Sequence, residues 1–76
     1  MSDKVSIGGI NTAAAAELRG EGTLSMETDG RLVAVVYRGN DGVHESRYSH
    51  ASVDEALQAV EQARTVARQR LAEGAS

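Results

Sequence analysis

The sequence predicts an α+β fold, with a short N-terminal helix, a three-stranded antiparallel meander, and a long C-terminal helix packed on one sheet face. Two observations lead to this prediction. Over residues 22–49 apolar and polar side chains alternate with period two, which is typical of strands with one buried face. From Val53 onward apolar residues recur with the 3.6-residue period of a helix. At 76 residues, the chain is expected to form one small domain over residues 1–76.

The N-terminal part is expected to hold one short helix. Residues 1–10 are predicted to form an arm or a short strand. Asn11 or Thr12 would cap a helix over residues 13–19, because both side chains can accept a hydrogen bond from an orphan amide. Gly20 would end this helix, since glycine adopts the left-handed conformation of a helix C-terminus.

The first hairpin is predicted at Asp29-Gly30, because both central residues of a type I′ turn need positive φ. A two-residue loop there pairs Thr28 with Arg31 and Met26 with Val33. The sheet face toward the long helix would carry Leu24, Met26, Val33, Val35, Tyr37 and Tyr48. The opposite face would carry Thr23, Ser25, Glu27, Leu32, Ala34 and Val36.

The segment Gly39-Asn40-Asp41-Gly42 predicts a second turn. A loop of two or four residues keeps the parity of pairing, and the two-residue loop also places Arg38 opposite Glu45, a favourable cross-strand pair. Arg47 then lies on the same sheet face. A three-residue loop would instead turn every side chain of the third strand to the other face.

The long helix is predicted over residues 53 to about 72. Ser52 and Glu55 match a capping box, in which each side chain satisfies an orphan amide. Acidic residues lie in the first half of the helix and arginines in the second, as the helix dipole favours. Its apolar stripe is expected to contain Val53, Ala56, Leu57, Val60, Ala63, Ala67 and Leu71.

Composition narrows the possible functions. There is no cysteine, which excludes disulfides and thiolate metal sites. A net charge of −3 argues against non-specific nucleic-acid binding, so a nucleic-acid partner is not expected. The chain shows no leader pattern and no apolar run of the roughly 18 residues that a membrane span needs. We therefore expect an intracellular, cytoplasmic protein with no membrane partner.

No pattern in the sequence indicates catalysis. Serines lie near His44 and His50, but no strained turn surrounds them as in a nucleophile elbow. His44 and Glu45 point to opposite sheet faces, and no zinc-like spacing exists. Gly8-Gly9 lacks the further glycines of a phosphate-binding loop. We expect no enzyme activity, no cofactor, no metal site and no catalytic residues.

The second sheet face holds the main candidate interaction residues. Leu32, Ala34 and Val36 form an apolar row on the central strand, where a two-layer domain would meet water. Either the N-terminal arm and short helix fold over this row, or it forms an interface with a partner or in a homodimer. Its charged neighbours on the same face are Glu27, Arg38 and Arg47.

Arg64 interrupts the apolar stripe of the long helix, between Val60 and Leu71. One explanation is that its aliphatic stem packs at the sheet edge while its charge reaches water. The alternative is that the C-terminal half of the helix projects beyond the sheet, so that Arg64 and Arg68 belong to a contact surface.

Residues 29–36 together with residues 52–60 resemble the outline of AP2-type and integrase arm-binding DNA-binding domains, which also have three strands followed by a capped, Ala-rich helix. The resemblance implies a sheet face that enters the major groove with arginine and tryptophan side chains. Here Arg38 and Arg47 share that face with Glu27, and no aromatic accompanies them. The helix–strand–strand–strand–helix order is also similar to double-stranded RNA-binding domains, whose second helix starts with lysines. In size, charge and outline the chain is similar to small acidic phage-encoded inhibitors such as anti-CRISPR proteins.

The leading hypothesis is therefore a non-enzymatic, small acidic protein-binding module, with inhibition of a nucleic-acid-handling enzyme as the activity it suggests. A sequence-specific DNA-binding module of the AP2 or integrase-arm outline is the first alternative. A structural homo-oligomer is the second.

Overall fold

A computed structural model describes residues 4–74 and shows two helices on one face of an antiparallel sheet. The three strands are ordered β1-β2-β3, as a meander requires. The predicted α+β fold is therefore confirmed. In chain order the elements are α1 (Ile10–Leu18), β1 (Gly22–Asp29), β2 (Leu32–Gly39), β3 (Glu45–His50) and α2 (Val53–Gly74).

The β1–β2 register differs from the predicted one by two residues. Met26 lies opposite Val35 rather than Val33, and the loop is Gly30-Arg31. Gly30 has a φ of 62°, whereas no non-glycine residue in the described part of the chain has a positive φ. This is the pattern of a type II′ turn, which needs glycine only at its first central position. Because the shift is even, every side chain keeps its predicted face.

The β2–β3 connection confirms the predicted pairing of Arg38 with Glu45. The Gly39 N–H donates to the His44 carbonyl at 2.8 Å and closes a four-residue loop. Within it, the Asp41 carboxylate accepts the Val43 and His44 N–H groups at 2.8 and 3.1 Å. These backbone donors, with a further bond from the His44 ring, lower the pKa of Asp41 to about 2.

Helix α1 begins at Ile10, three residues earlier than predicted. Its N-cap is Gly9, in an extended conformation and with no side-chain cap, so the prediction that Asn11 or Thr12 caps the helix is wrong. The early start lets Ile10 pack against the buried residues beneath α2. The predicted end is confirmed, because Gly20 has a φ of 78° and its N–H donates to the Glu17 carbonyl.

The capping box of α2 is present with one difference from the usual pattern. The Ser52 hydroxyl accepts the Glu55 N–H at 3.2 Å, as predicted. The Glu55 carboxylate reaches back to the Ala51 N–H at 3.1 Å, one residue before the N-cap. Together they satisfy two amides that the helix itself leaves without a partner.

Replacing Ser52 with alanine is expected to lower the free energy of unfolding by about 1 kcal/mol, the usual contribution of an N-cap hydroxyl. Chemical denaturation measures this directly. Ser49→Ala is a suitable control, because Ser49 is an exposed strand residue outside the cap. An equal loss in both variants would mean that the cap contributes nothing specific.

The core lies between the sheet and the two helices and is built largely from alanine. Ala14 of α1 packs with Ala63 and Ala67 of α2, and all three are fully buried. Alanines at this contact allow the two helix axes to approach closely. The predicted apolar stripe of α2 is only partly buried, since Val53 and Leu57 are each 51% exposed.

The N-terminal arm extends the sheet at the outer edge of β3. Val5 forms a parallel bridge with His44, with backbone bonds from the Val5 N–H to Val43 and from the Glu45 N–H to Val5. The described part of the predicted arm is therefore a short strand-like segment, while residues 1–3 lie outside the described residues. Across residues 4–74, neither helix combines the length and apolar character that crossing a membrane requires.

Candidate functional site

The sheet face away from both helices, called the open face below, holds six of the eight predicted interaction residues. Across the three strands, the register places its side chains opposite one another in three groups. The central group is Ser25, Val36 and Arg47. The two flanking groups are Glu27, Ala34 and Ser49, and Thr23, Arg38 and Glu45.

Charged side chains of the open face form one ion-paired network. The Arg38 Nη2 atom lies 2.6 Å from Glu27 Oε2, and the Arg38 Nε atom lies 3.8 Å from Glu45 Oε2. Arg47 Nη2 lies 3.7 Å from the other oxygen of Glu27. The guanidinium of Arg38 also holds the pKa of Glu27 below its ordinary value. Two arginines and two glutamates therefore cancel each other's charge across this face.

The apolar row that the sequence suggested as an interface lies on the same face as this network. Ala34 and Val36 are fully buried, and of the row only Leu32 is exposed, by 45%. The arm and α1 lie on the other face, so they do not cover the row. Long side chains flank the row on the same face, and the aliphatic parts of Arg and Glu side chains can cover apolar groups in this way. Ala34 and Val36 are therefore buried within the single chain, and their contact with a partner stays a prediction.

Arg64 and Arg68 lie away from the open face, on α2. Arg64 forms a two-pronged pair with Glu17 of α1, with Nε to Oε1 at 2.9 Å and Nη2 to Oε2 at 3.0 Å. The same carboxylate accepts the Leu24 N–H at 3.2 Å. Arg64 thus joins α1, α2 and β1, which neither sequence-based explanation anticipated. Arg68 is exposed, as a contact surface would require.

Glu17→Gln is expected to lower the free energy of unfolding by roughly 1–2 kcal/mol, because charge-assisted bonds contribute more than neutral ones while partial exposure weakens them. The Arg64 bond lowers the pKa of Glu17, so this stability is present above the ordinary carboxyl pKa and is lost as pH falls through the lowered value. Denaturation of both proteins across pH measures it. If the difference in unfolding free energy between the wild type and Glu17→Gln stayed the same at the acid end of the range, the charged pair would not be its cause.

Other polar side chains within residues 4–74 line a second cavity or lie near the end of β3. An open cavity of about 540 Å³ between α1 and the β2–β3 loop is lined in part by Tyr37, Asp41 and His44. Asp41 is committed to the loop bonds given above. No group of three metal-ligating side chains occurs within residues 4–74. The Nε2 atom of His50, at the end of β3, is buried without a hydrogen-bond partner among the described residues.

A cleft between β1 and α2 is the feature that sequence reasoning missed. It has a volume of about 230 Å³, and large apolar side chains are exposed at its rim: Met26 by 37% and Leu57 by 51%. The helical period places Leu57 in the buried stripe, but in the structure it lies half-exposed beside β1, where it lines the cleft with Leu24 and Met26. We call this the edge cleft; its apolar lining is Leu24, Met26, Val35, Leu57 and Val60.

Comparison of the chain with protein-family models, with curated proteins and with solved structures finds no match.

Proposed function

We propose that the chain is a non-enzymatic protein-binding module that contacts its partner through the open face. The observation that carries this proposal is the neutral network of Glu27, Arg38, Glu45 and Arg47 on a sheet face without helix cover. Ion pairing already holds these long side chains in place, so a partner has less side-chain entropy to immobilise. Alternating charges suit a protein surface that carries both signs.

The same network disfavours the DNA-binding alternative. A duplex presents one uniform sign of charge, and binding it releases counterions only when cationic groups are in excess. Arg38 and Arg47 are each paired with Glu27, so the open face offers phosphates as much repulsion as attraction. The net charge of −3 adds further repulsion.

Inhibition of a nucleic-acid-handling enzyme is the activity we propose for this module. Such enzymes carry basic surfaces for phosphates, and an acidic protein is drawn toward them by its net charge. The open face then docks beside such a basic surface, where the partner carries both signs of charge, and blocking access in this way requires no catalytic group. The proposal is supported by the ion-paired open face and by the net charge of −3.

Charge reversal on the open face tests the proposal. Once a partner has been captured with the wild-type chain and purified, Arg47→Glu should raise the dissociation constant at least about tenfold, because the partner's complementary charge then meets a like one. Arg31→Glu makes the same change in net charge at an exposed turn position and should leave the affinity within about twofold. Equal losses in both variants would mean that net charge, not the open face, governs binding.

For nucleic acid, we expect no binding to random duplex DNA with a dissociation constant below about 10⁻⁶ M at physiological salt. A gel-shift titration checks this. Tight, salt-sensitive binding that is lost when Arg38 and Arg47 are replaced by glutamine would favour the DNA-binding alternative.

A further inference from the structure

The cavity between α1 and the β2–β3 loop has the size of a small-ligand site. Its volume is about 540 Å³, within the range of roughly 300–1,000 Å³ that is typical of ligand pockets. Thr12 and Arg19 line one wall, two helical turns apart on the same side of α1. Asn40 and His44 line the facing wall, which the β2–β3 loop forms. We call this space the loop cavity.

A buried hydroxyl group without a partner lies at the loop cavity. Tyr37 is only 1% exposed, and its side chain lines the cavity. Its hydroxyl forms no hydrogen bond with any residue between positions 4 and 74. The other tyrosine, Tyr48, donates its hydroxyl hydrogen to the Gly8 carbonyl at 2.6 Å. Because buried polar groups are usually hydrogen-bonded, the Tyr37 hydroxyl is available to a molecule in the cavity.

Two carboxylates make the surroundings of this hydroxyl negative. Burial raises the pKa of Tyr37, and the charges of Glu21 and Asp41, which both line the cavity, raise it further. Arg19 lowers this pKa, with a smaller effect than either carboxylate. The hydroxyl therefore keeps its proton, and a positive charge is favoured beside it.

Three hydrogen-bond acceptors of the loop cavity have no partner among the described residues. His44 Nδ1 lies 2.6 Å from Asp41 Oδ2, and Nδ1 carries the hydrogen because an ionised carboxylate can only accept. The Nε2 atom of a neutral His44 is then free to accept. The Asn40 side chain donates through Nδ2 to a backbone carbonyl at 2.9 Å, which leaves its Oδ1 atom free. Glu21 uses only Oε2 for its ion pair and keeps Oε1.

We propose that the loop cavity binds a primary ammonium group, of a free amine or of a lysine side chain on another protein. An ammonium group carries a positive charge and three N–H donors, which match the negative surroundings and the three free acceptors. A guanidinium group has five donors, more than these acceptors can match. An anion would be repelled by Glu21 and Asp41. A metal ion lacks its ligands, because no three metal-ligating side chains come together within residues 4–74.

The n-butylammonium ion is a suitable probe, because it carries the ammonium group on a short aliphatic chain. In an NMR titration it should shift the amide signals of Thr12 and His44, with a dissociation constant in the millimolar range expected for so few atoms. n-Butanol has the same chain without the charge and should bind at least about tenfold more weakly. Equal binding of the two probes, or no saturable shift up to about 100 mM, would overturn the proposal.

Two pairs of variants assign the binding to the loop cavity. Tyr37→Phe removes the unpartnered hydroxyl but keeps the ring, and should weaken butylammonium binding at least about threefold. Its control is Tyr48→Phe, because Tyr48 does not line the cavity. Glu21→Gln should also weaken binding at least about threefold, since it removes a negative charge from the cavity. Glu61→Gln makes the same charge change at an exposed position of α2 and should leave the affinity unchanged. Equal losses in a variant and its control would contradict the proposed site.

A second probe separates the two sources of the ammonium group. Nα-acetyl-lysine methylamide presents a lysine side chain between two amide groups, as a protein surface does. Binding no weaker than that of butylammonium assigns the cavity to lysine side chains, whereas weaker binding assigns it to free amines. The site does not depend on the proposed function, because none of the four residues of the open-face network lines the cavity. Failure of the ammonium site would leave partner binding through the open face unaffected.

Discussion

Gly22→Ala is expected to lower the free energy of unfolding by about 3 kcal/mol or more. A Cβ atom on Gly22 would lie 2.5 Å from Tyr37 Cζ and 2.6 Å from the Arg38 carbonyl oxygen, far inside van der Waals contact. Neither neighbour can move cheaply, because the Tyr37 ring is fully buried and the carbonyl belongs to the β2 ladder. The cost therefore falls at or above the upper end of the usual 1–3 kcal/mol for overpacking.

Chemical denaturation of Gly22→Ala beside Gly74→Ala measures this effect. An added Cβ at Gly74 meets nothing within 4 Å, so this control should stay within about 0.5 kcal/mol of the wild type. If Gly22→Ala had the same midpoint as the control, β1 would not start against the Tyr37 ring.

Much of the fold could be predicted because the capping and turn signals agreed with the periodicity of the apolar residues. The capping box at Ser52 fixed the start of α2, and glycine at position 20 marked the end of α1. Asp29-Gly30 correctly signalled a hairpin but not its turn type. Types I′ and II′ both accept glycine, and only the φ of the neighbouring residues distinguishes them. The predicted faces survived this error because the two registers differ by an even number of residues.

The open face was harder to predict. The alternation of apolar and polar residues tells which sheet face a side chain lies on, but not in which direction a long side chain extends across that face. The apolar row with Val36 appeared exposed when only the backbone pattern was considered. In the structure, Glu27, Arg38 and Arg47 lie on the same face and pair with one another. The favourable pair of Arg38 with Glu45 was predictable from register alone, since the two residues are direct cross-strand neighbours.

The Glu17–Arg64 pair and the edge cleft depend on how the helices cross the sheet, which the sequence does not encode locally. Forty-seven positions separate Glu17 from Arg64. The one available signal was an arginine inside an apolar stripe, which indicates a buried or half-buried partner of opposite charge. For Leu57 no signal existed, because its exposure depends on the position of α2 above β1.

Tyr37→Ala is expected to have the largest effect of any substitution considered, lowering the free energy of unfolding by roughly 3–5 kcal/mol, as for other large aromatic truncations. Tyr37 is one of only two tyrosines in a chain without Phe or Trp, and it is the largest fully buried side chain. It packs against Ala13 and Ala16 of α1, which are too small to fill the space the ring would leave. A domain of 76 residues has about 4–11 kcal/mol of stability in total. Much of the variant should therefore be unfolded, which circular dichroism and thermal denaturation detect.

Tyr37→Phe separates the ring from its hydroxyl group. This variant keeps the contacts with Ala13 and Ala16, so it should lose no more than about 1 kcal/mol. It also removes the oxygen that an added Cβ on Gly22 would meet. Gly22→Ala should consequently cost less in the Tyr37→Phe background than in the wild type, with a coupling energy in the range of about 0.5–3 kcal/mol seen for residues in contact. Strict additivity of the two substitutions would mean that the Tyr37 hydroxyl group does not oppose a side chain at position 22, so that the ring carbon and the Arg38 carbonyl oxygen account for the whole cost.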